Sequence, residues 1–406
     1  MRFGLLGRSI GYSYSPKIHN MLAGYPYELF QVEPEALEDF FLNVPFKGIN
    51  VTIPYKKAVI PFCTALTPQA QQLGAVNTII RQKDGSLIGH NTDYFGFQTM
   101  LQHSGLSVAG KKVLVLGSGG ASATVVAVLQ NSGAVPVVIS RSGENNYNNL
   151  SRHKDAAILV NATPVGTFPE VECSPVDLSV FPALEGVLDL IYNPARTQLL
   201  LDAEERGLVT ENGLRMLVAQ AKEAAEWFTG NAIDNSSIDS IHHTMCKTMQ
   251  NIVLIGMPGC GKSTIGKLLA EKLGREFVDT DTAIEQAVGK TIPDIFRQDG
   301  EEAFRNAETA VLLDLGKRSG LIIATGGGCV TKDRNYLHLH RNGMLFWIQR
   351  PLGALATDGR PLSQASNLAA MYAVREPLYT RFADVVIQND LSPESTVADI
   401  LKHLEA

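Results

Sequence analysis

The chain has 406 residues, of which 45% are hydrophobic and 19% charged, with a formal net charge of −6 and a pI near 5.9. At ~150 residues per domain that length predicts two or three domains, and the composition excludes a disordered chain. The acidic balance excludes a general affinity for nucleic acid or anionic membrane, and no apolar run reaches the ~18 residues of a membrane span.

Residues 1–7 are too short and glycine-broken for a signal peptide, and Cys63, Cys173, Cys246, Cys260 and Cys329 form no C-x-x-C pair. A reducing, cytoplasmic location is expected, without disulfides or zinc. Residues 2–6 read as a buried strand, and residues 17–22 as a helix with Ser15 as N-cap and Pro16 at N1. A strand at 27–32, a helix at 34–42 and a strand at 48–53 follow, and Tyr55, Lys56 and Lys57 are expected to open another helix. A hairpin at 75–80 and 87–89 ends in His90, Asn91, Thr92 and Asp93. Alternating strands and helices predict an α/β layer. Ser13, Ser15, Thr52, Asn77 and Asp93 are short hydrogen-bonding groups suited to a polyhydroxylated ligand, and Lys56 is the acid–base candidate among them. Singly, each has a plainer reading: Ser15 or Asp93 as a helix cap, Lys56 as a solvated lysine.

Residues 111–116 read as a buried strand, followed by Gly117, Ser118, Gly119, Gly120 and Ala121, a helix at 124–131 and a strand at 135–140. This βαβ unit has a G-x-G-G-A turn that can receive a pyrophosphate at a helix N-terminus, or serve only for packing. Its second strand ends in Ser140 and Arg141, a guanidinium where an acidic residue would otherwise hold a ribose 2′-hydroxyl. That favours a 2′-phosphate, hence NADP. Residues 143–149 are acidic and asparagine-rich. Further strands end in Asn161, Ala162 and Thr163 and in Tyr192, and Gly213 opens a helix that carries Gln220 and runs to about residue 228. Residues 231–250 lose apolar periodicity and read as a polar connector in which His242 and His243 are solvated.

Residues 251–255 form an apolar run before Gly256-Met257-Pro258-Gly259-Cys260-Gly261-Lys262-Ser263-Thr264. Strand, glycine loop and helix in this order, with G-x-x-x-x-G-K-S spacing, define a phosphate-binding loop. Its backbone N–H groups face phosphate oxygens, Lys262 reaches the β- and γ-phosphates, and Ser263 holds Mg²⁺. Cys260 is either a reactive thiol near a helix N-terminus or a small residue that fits the loop. Asp279 and Asp281 follow a short strand, and a helix from Asp299 contains Arg305 and Glu308. Arg305 can meet a substrate carboxylate as a fork, or pair with Glu301 or Glu302 on an exposed helix.

The set Y-S-Y-S-P, N-V-T-I-P-Y-K, A-V-N-T and N-T-D resembles the substrate domain of shikimate dehydrogenases, and N-A-T-P-x-G, D-L-I-Y and G-x-x-M-L-V-x-Q extend the resemblance to about residue 230. It implies Lys56 and Asp93 as the catalytic pair. Ser13, Ser15, Thr52, Asn77, Tyr192 and Gln220 would contact substrate, and Gly117–Ala121, Ser140, Arg141, Asn161, Thr163 and Gly213 the cofactor. Members commonly carry a second basic residue soon after the arginine, which this chain lacks. From the phosphate loop through D-T-D, D-G-E-x-x-F-R, G-G-G, R-P-L and R-x-P-L-Y, the C-terminal part resembles shikimate kinase. That implies Asp281, Arg305, Gly327 and Arg375 at shikimate, with Asp281 accepting a proton. Ser263 and Asp279 would hold Mg²⁺; Gly259, Cys260, Gly261, Lys262, Ser263 and Thr264 would bind ATP; and Arg360 in a lid would cover the phosphates. Residues 351–357 lack the arginine that often stacks on adenine in that family.

The expected fold class is α/β: a substrate domain at 1–104, a Rossmann NADP-binding domain at 105–230 whose last helix returns to the substrate domain, a linker at 231–250, and a P-loop kinase domain of the nucleoside monophosphate kinase-like type at 251–406. The implied activities are reduction of 3-dehydroshikimate with NADPH and phosphorylation of shikimate with MgATP. Partners are then small molecules, with neither nucleic acid nor membrane, in a monomer or homodimer. Alternatives are an NAD-dependent quinate dehydrogenase, a non-catalytic module that senses shikimate, and a kinase for another small polyol.

Overall fold

Apolar runs without alternation, such as residues 113–116 and 251–255, become strands buried on both faces, as a parallel sheet flanked by helices requires. The computed structural model describes residues 2–11, 13–355 and 368–405. The chain divides into two compact units, Met1–Thr244 and Met245–Ala406.

The first unit holds two sheets. One comprises β1 (Phe3–Gly7), β2 (Tyr27–Gln31), β3 (Gly48–Val51), β4 (Ala65–Leu66), β5 (Thr78–Arg81) and β6 (Leu87–His90), in the order β2-β1-β3-β5-β6-β4. It is mixed: β1 runs parallel to β2 and β3, and β5 antiparallel to β3 and β6. The other comprises β7 (Lys112–Leu116), β8 (Val135–Ile139), β9 (Ile158–Asn161), β10 (Gly186–Asp189) and β11 (Val209–Asn212), all parallel, in the order β11-β10-β9-β7-β8. Just past β8 a single parallel bridge joins Ser140 to Asn146. With that bridge taken as a vestigial strand, the order is the 3-2-1-4-5-6 of a Rossmann sheet, reversing direction between β7 and β9. The helix Leu214–Thr229 then returns to the first sheet. Its Phe228 ring stacks on Phe3 at 5.2 Å, and at Gly96 it approaches the helix Asp93–His103 so closely that a Cβ would lie 2.7 Å from the Met216 carbonyl.

In the second unit β12 (Asn251–Ile255), β13 (Phe277–Asp279), β14 (Ile322–Ala324), β15 (Gly343–Gln349) and β16 (Val385–Gln388) form one parallel sheet in the order β13-β14-β12-β15-β16. Every residue of β12, at the centre, is buried.

Three expectations are corrected. Residues 55–57 open no α-helix; the segment runs through turns, because the Lys56 carbonyl accepts from Val76 N–H at 2.7 Å and is lost to helical bonding. Ser15 is the first residue of the helix Ser15–Ala23, not its cap: Tyr14 occupies that position, and the Ser15 N–H donates to Ser13 Oγ at 3.2 Å. Residues 231–250 are not a polar tether throughout, since Ser236–Met249 is a helix. Its buried stripe is Ile238, Ile241, Met245 and Met249, spaced three and four apart. The intervening serines, aspartate and histidines hide that stripe from a reading of polarity, and the division between the units falls within the helix.

Within the first unit Asp239 of this helix pairs with Arg215, whose side chain is only 7% exposed and whose other carboxylate, Glu211, lies at 3.5 Å. Asp239→Ala strips the buried guanidinium of its shorter contact. Because Asp239 is itself exposed, the expected loss is about 1 kcal/mol, lowering the melting temperature of this unit by roughly 2–4 °C in calorimetry. Unaltered melting would show that the Asp239–Arg215 pair contributes nothing to the unit.

Candidate active sites

The first cleft lies in the first unit, between the substrate-side sheet and the carboxyl ends of the parallel one. Its volume is about 240 Å³, and it brings together Ser13, Ser15, Thr52, Lys56, Asn77, Asp93, Tyr192, Gly213 and Gln220 with Ala121. Lys56 Nζ donates to Asp93 Oδ2 at 2.6 Å, with the side chains 19% and 9% exposed. Asp93 is therefore not merely a cap: its helix is capped at Thr92, and the carboxylate faces the lysine. Its own N–H donates to Asn91 Oδ1 at 3.1 Å, and Asn91 is in turn tied to the Ala75 carbonyl. A Cβ on Gly120, at the start of the helix Gly120–Asn131, would come 4.0 Å from Lys56 Cδ, so the cofactor-side turn stands beside the lysine stem.

Behind the cleft is a buried polar network. Asn77 Oδ1 accepts from Thr92 N–H at 2.7 Å, and Asn77 Nδ2 donates to Thr92 Oγ1 at 3.0 Å. Asn50, also at the cleft, accepts from Tyr27 Oη at 2.7 Å and donates to Thr78 Oγ1 at 3.0 Å. His19 stacks on Tyr27 at 4.1 Å and shares a 2.6 Å hydrogen bond with Tyr25 Oη. Complete burial, opposed by hydrogen bonding to Asn50, holds the His19 imidazole down to about 3.

On the cofactor side Gly117 turns at φ +101° and Ser118 and Gly119 are exposed. The space above Gly119 is open, a cradle for a diphosphate at a helix N-terminus. Arg141 is exposed just past β8, beside Tyr147. Ser140 is bonded back to the Ser142 carbonyl. Residues 143–149 are a self-bonded loop, with Asn146 and Asn149 donating to the Gly143 and Glu144 carbonyls. Asn161 is fully buried and accepts from the N–H and hydroxyl of Thr163, so it shapes the turn instead of facing a ligand.

The second cleft, about 350 Å³, lies in the second unit and gathers Gly259, Gly261, Lys262, Ser263, Thr264, Asp279, Asp281, Arg305, Gly327 and Arg375. Gly256 opens the phosphate loop at φ +141°, where a Cβ would lie 2.5 Å from the Ile348 carbonyl. Lys262 is buried and folds back on its own loop, donating to the Gly256 and Met257 carbonyls at 2.8 and 3.0 Å. Cys260 is fully buried, which favours the small residue that fits the loop, while its sulfur lies 3.8 Å from Lys262 Nζ. Ser263 Oγ donates to Asp279 Oδ2 at 2.6 Å. Two hard oxygens at the loop mouth suit Mg²⁺, which takes its remaining ligands from phosphates and water; among the described residues no larger cluster of metal ligands exists.

Arg305 is not on an exposed face. Its side chain is 7% exposed and pairs with buried Glu308 at 2.9 Å, and only secondarily with Glu301 at 3.3 Å. Burial pushes the Glu308 carboxyl up, with Arg305 pulling it back, and its second oxygen has no hydrogen-bond partner. Arg375 and Tyr379 donate to the Gly327 carbonyl at 3.2 and 2.5 Å. Arg360 lies outside the described residues. Asn50 and Glu308 line these clefts without having been expected there; N-V-T-I-P begins at Asn50, and Glu308 stands at i+3 from Arg305, so both could have been found by spacing.

A Rossmann sheet facing a lysine–carboxylate cleft defines a nucleotide-dependent dehydrogenase, and the loop on β12 a P-loop kinase. Residues 5–79 match the family model for the shikimate dehydrogenase substrate binding domain, and residues 258–405 that for shikimate kinase. The NADP-dependent shikimate dehydrogenase of Clostridium perfringens is 35% identical over 265 residues, 60% of this chain and 97% of that protein. A chorismate mutase/shikimate 5-dehydrogenase fusion from Clostridium acetobutylicum is 35% identical and superposes with a TM-score of 0.57, covering 60% of this chain and 96% of that one. Shikimate 5-dehydrogenase from Thermus thermophilus, solved with NADP(H) and shikimate, is 32% identical with a TM-score of 0.55, over 60% and 99% of the two chains. The chain belongs to the shikimate dehydrogenase family and carries a shikimate kinase domain behind it. No helix among the described residues is long and apolar enough to cross a membrane.

The His19 shift has a stability consequence. Its folded value lies below its unfolded one, so its contribution is complete above pH 6.5 and is lost as pH falls towards about 3. His19→Phe keeps a ring for the stack on Tyr27 and removes the titration. Urea unfolding between pH 6 and 4 should then show an acid slope shallower by roughly 1 kcal/mol per pH unit; an unchanged slope would mean that His19 titrates normally.

Proposed function

We propose that the chain catalyses two consecutive steps of the shikimate pathway: reduction of 3-dehydroshikimate to shikimate with NADPH, and phosphorylation of shikimate at its 3-hydroxyl with MgATP. The observation that carries this reading is the pair of clefts suited to one small hydroxylated acid. One is centred on Lys56–Asp93, the other has Arg305, Arg375 and Asp281 beside a phosphate loop.

When bound, NADPH supplies the hydride and MgATP the phosphoryl group. In the first cleft the Lys56 ammonium stands beside the carbonyl oxygen and gives it a proton as negative charge builds there. Asp93 orients Lys56 and accepts from a ring hydroxyl. Ser13, Ser15, Thr52, Asn77, Tyr192 and Gln220 bind the remaining oxygens, and Arg141 meets a 2′-phosphate. In the second cleft Arg305, held by Glu308, and Arg375 grip the carboxylate, and Asp281 takes the proton of the attacking hydroxyl. Lys262 would exchange its loop carbonyls for phosphate oxygens, Ser263 and Asp279 would hold Mg²⁺, and Arg360 would steady charge on the transferring group.

One assay with 3-dehydroshikimate, NADPH and MgATP, following NADPH loss, ADP formation and products together, tests both activities. Lys56→Ala should lower kcat for reduction by ~10²–10³ while phosphorylation of added shikimate continues. Lys262→Ala should stop ADP formation while NADPH oxidation continues and shikimate accumulates. Intact kcat in a folded Lys56→Ala protein would remove that residue from the chemistry.

Arg141→Ala should raise KM for NADPH and spare NADH, changing selectivity by about 10–100-fold for a charge-assisted contact of ~1.5–3 kcal/mol. Equal effects on both cofactors would make Arg141 structural. The same assay with quinate and NAD excludes the alternative substrate if kcat/KM is lower than for the shikimate pair. That comparison matters because a quinate dehydrogenase from Corynebacterium glutamicum, solved with NAD, is 27% identical with a TM-score of 0.54.

A further inference from the structure

Under the cofactor side of the dehydrogenase cleft the parallel sheet ends in a row of polar side chains. Asn161 of β9, Asp189 of β10 and Asn212 of β11 are register partners on three adjacent strands. Asp189 is fully buried and, among the described residues, has no cation beside it. Three neutral donors meet it instead: Asn161 Nδ2 and Ile191 N–H, each at 3.0 Å from Oδ1, and Thr197 Oγ1 at 2.7 Å from Oδ2. Burial pushes its carboxyl up to about 6 against these hydrogen bonds. Such a group is costly to the fold, and a neutral residue of the same shape would cost less.

The donors belong to three segments at the strand ends, and the residues on either side of Ile191, Leu190 and Tyr192, line the cleft. Asn161 holds the Thr163 turn, which rests so closely on Gly117 that a Cβ there would be 3.0 Å from Thr163 Cγ2. Ile191 precedes Tyr192, and its carbonyl accepts from Gly213 N–H at 3.0 Å. Thr197 caps the helix Gln198–Glu205. One acceptor therefore sets three segments at the strand ends, where ligands of such sheets bind.

We propose that Asp189 is a positioning residue for the dehydrogenase reaction, fixing from below the Thr163 turn on the cofactor side and the Leu190 and Tyr192 side chains on the substrate side. The proposal rests on the dehydrogenase reading above. A carboxylate suits the position because it accepts at both oxygens and has no hydrogen to clash with the convergent donors. Asparagine keeps the Oδ1 acceptor for Asn161 and Ile191, and its NH₂ can donate to Thr197 once that hydroxyl turns.

The test uses the full-length protein with Asp189→Ala, Asp189→Asn and Asn161→Ala. It measures NADPH affinity by cofactor fluorescence and, separately, kcat and KM for 3-dehydroshikimate. Asp189→Ala should weaken NADPH binding about tenfold and lower kcat/KM by ~10²-fold, mostly through kcat. Asp189→Asn should restore both to within about fivefold of wild type. Asn161→Ala, which cuts only the Thr163 branch, should weaken NADPH binding and leave the substrate KM near wild type. If Asp189→Ala does not fold, the remaining two variants decide. NADPH affinity within about twofold of wild type in Asn161→Ala, or a loss beyond about tenfold in Asp189→Asn, overturns the proposal. A wild-type protein that neither binds nor oxidises NADPH would instead overturn the dehydrogenase reading itself.

Discussion

An ammonium and a carboxylate 2.6 Å apart, both largely withdrawn from water, set the terms for the dehydrogenase unit. Desolvation makes such a pair costly unless its remaining hydrogen bonds are met and its geometry is fixed. The surroundings do both. Val76 N–H holds the Lys56 carbonyl, Asn91 holds the backbone of Asp93, and Asn77 holds Thr92 beside it. These anchors lie just before β5 and just after β6, so the mixed sheet is the frame of the ion pair. The returning helix Leu214–Thr229 brings Gln220 to the same cleft, with Thr92 Oγ1 3.4 Å from its side-chain oxygen.

The kinase unit meets the same difficulty with cations. Lys262 and Arg305 are both buried, and each has partners within the protein, Lys262 the loop carbonyls that solvate its ammonium and Arg305 the carboxylate of Glu308. Arg375 is partly engaged by the Gly327 carbonyl. Charges needed by anionic ligands are thus kept in place, Lys262 and Arg375 by neutral carbonyls that an anion can replace and Arg305 by a carboxylate that stays with it.

Much of the architecture was legible because the signals were local. A strand, a G-x-x-x-x-G-K-S loop and a helix are adjacent in sequence, and so are the pieces of the βαβ unit around Gly117. The first cleft also gathers side chains first noticed at strand ends, because the ends of parallel β1 and β3 lie beside the start of antiparallel β5. Less was legible where a single long-range bond decides the backbone. Lys56 leaves helical bonding because of Val76, and Ser15 enters its helix because Ser13 takes its N–H. The helix Ser236–Met249 was hidden because its apolar stripe is thin and set among cap-forming residues. The sequence places Glu308 on the helix with Arg305, but its burial against that arginine shows only in the fold.

The inward fold of Lys262 bears on which anions the phosphate loop accepts. With its ammonium already satisfied by two carbonyls, the loop does not present a bare positive charge, and any anion must break those contacts before it gains its own. A single small anion can reach only part of the loop's set of donors. A chain of phosphates, spanning the loop amides and the lysine at once, replaces them all and adds more. An anion long enough to span the loop amides and Lys262 together is therefore favoured over one that reaches only one of them.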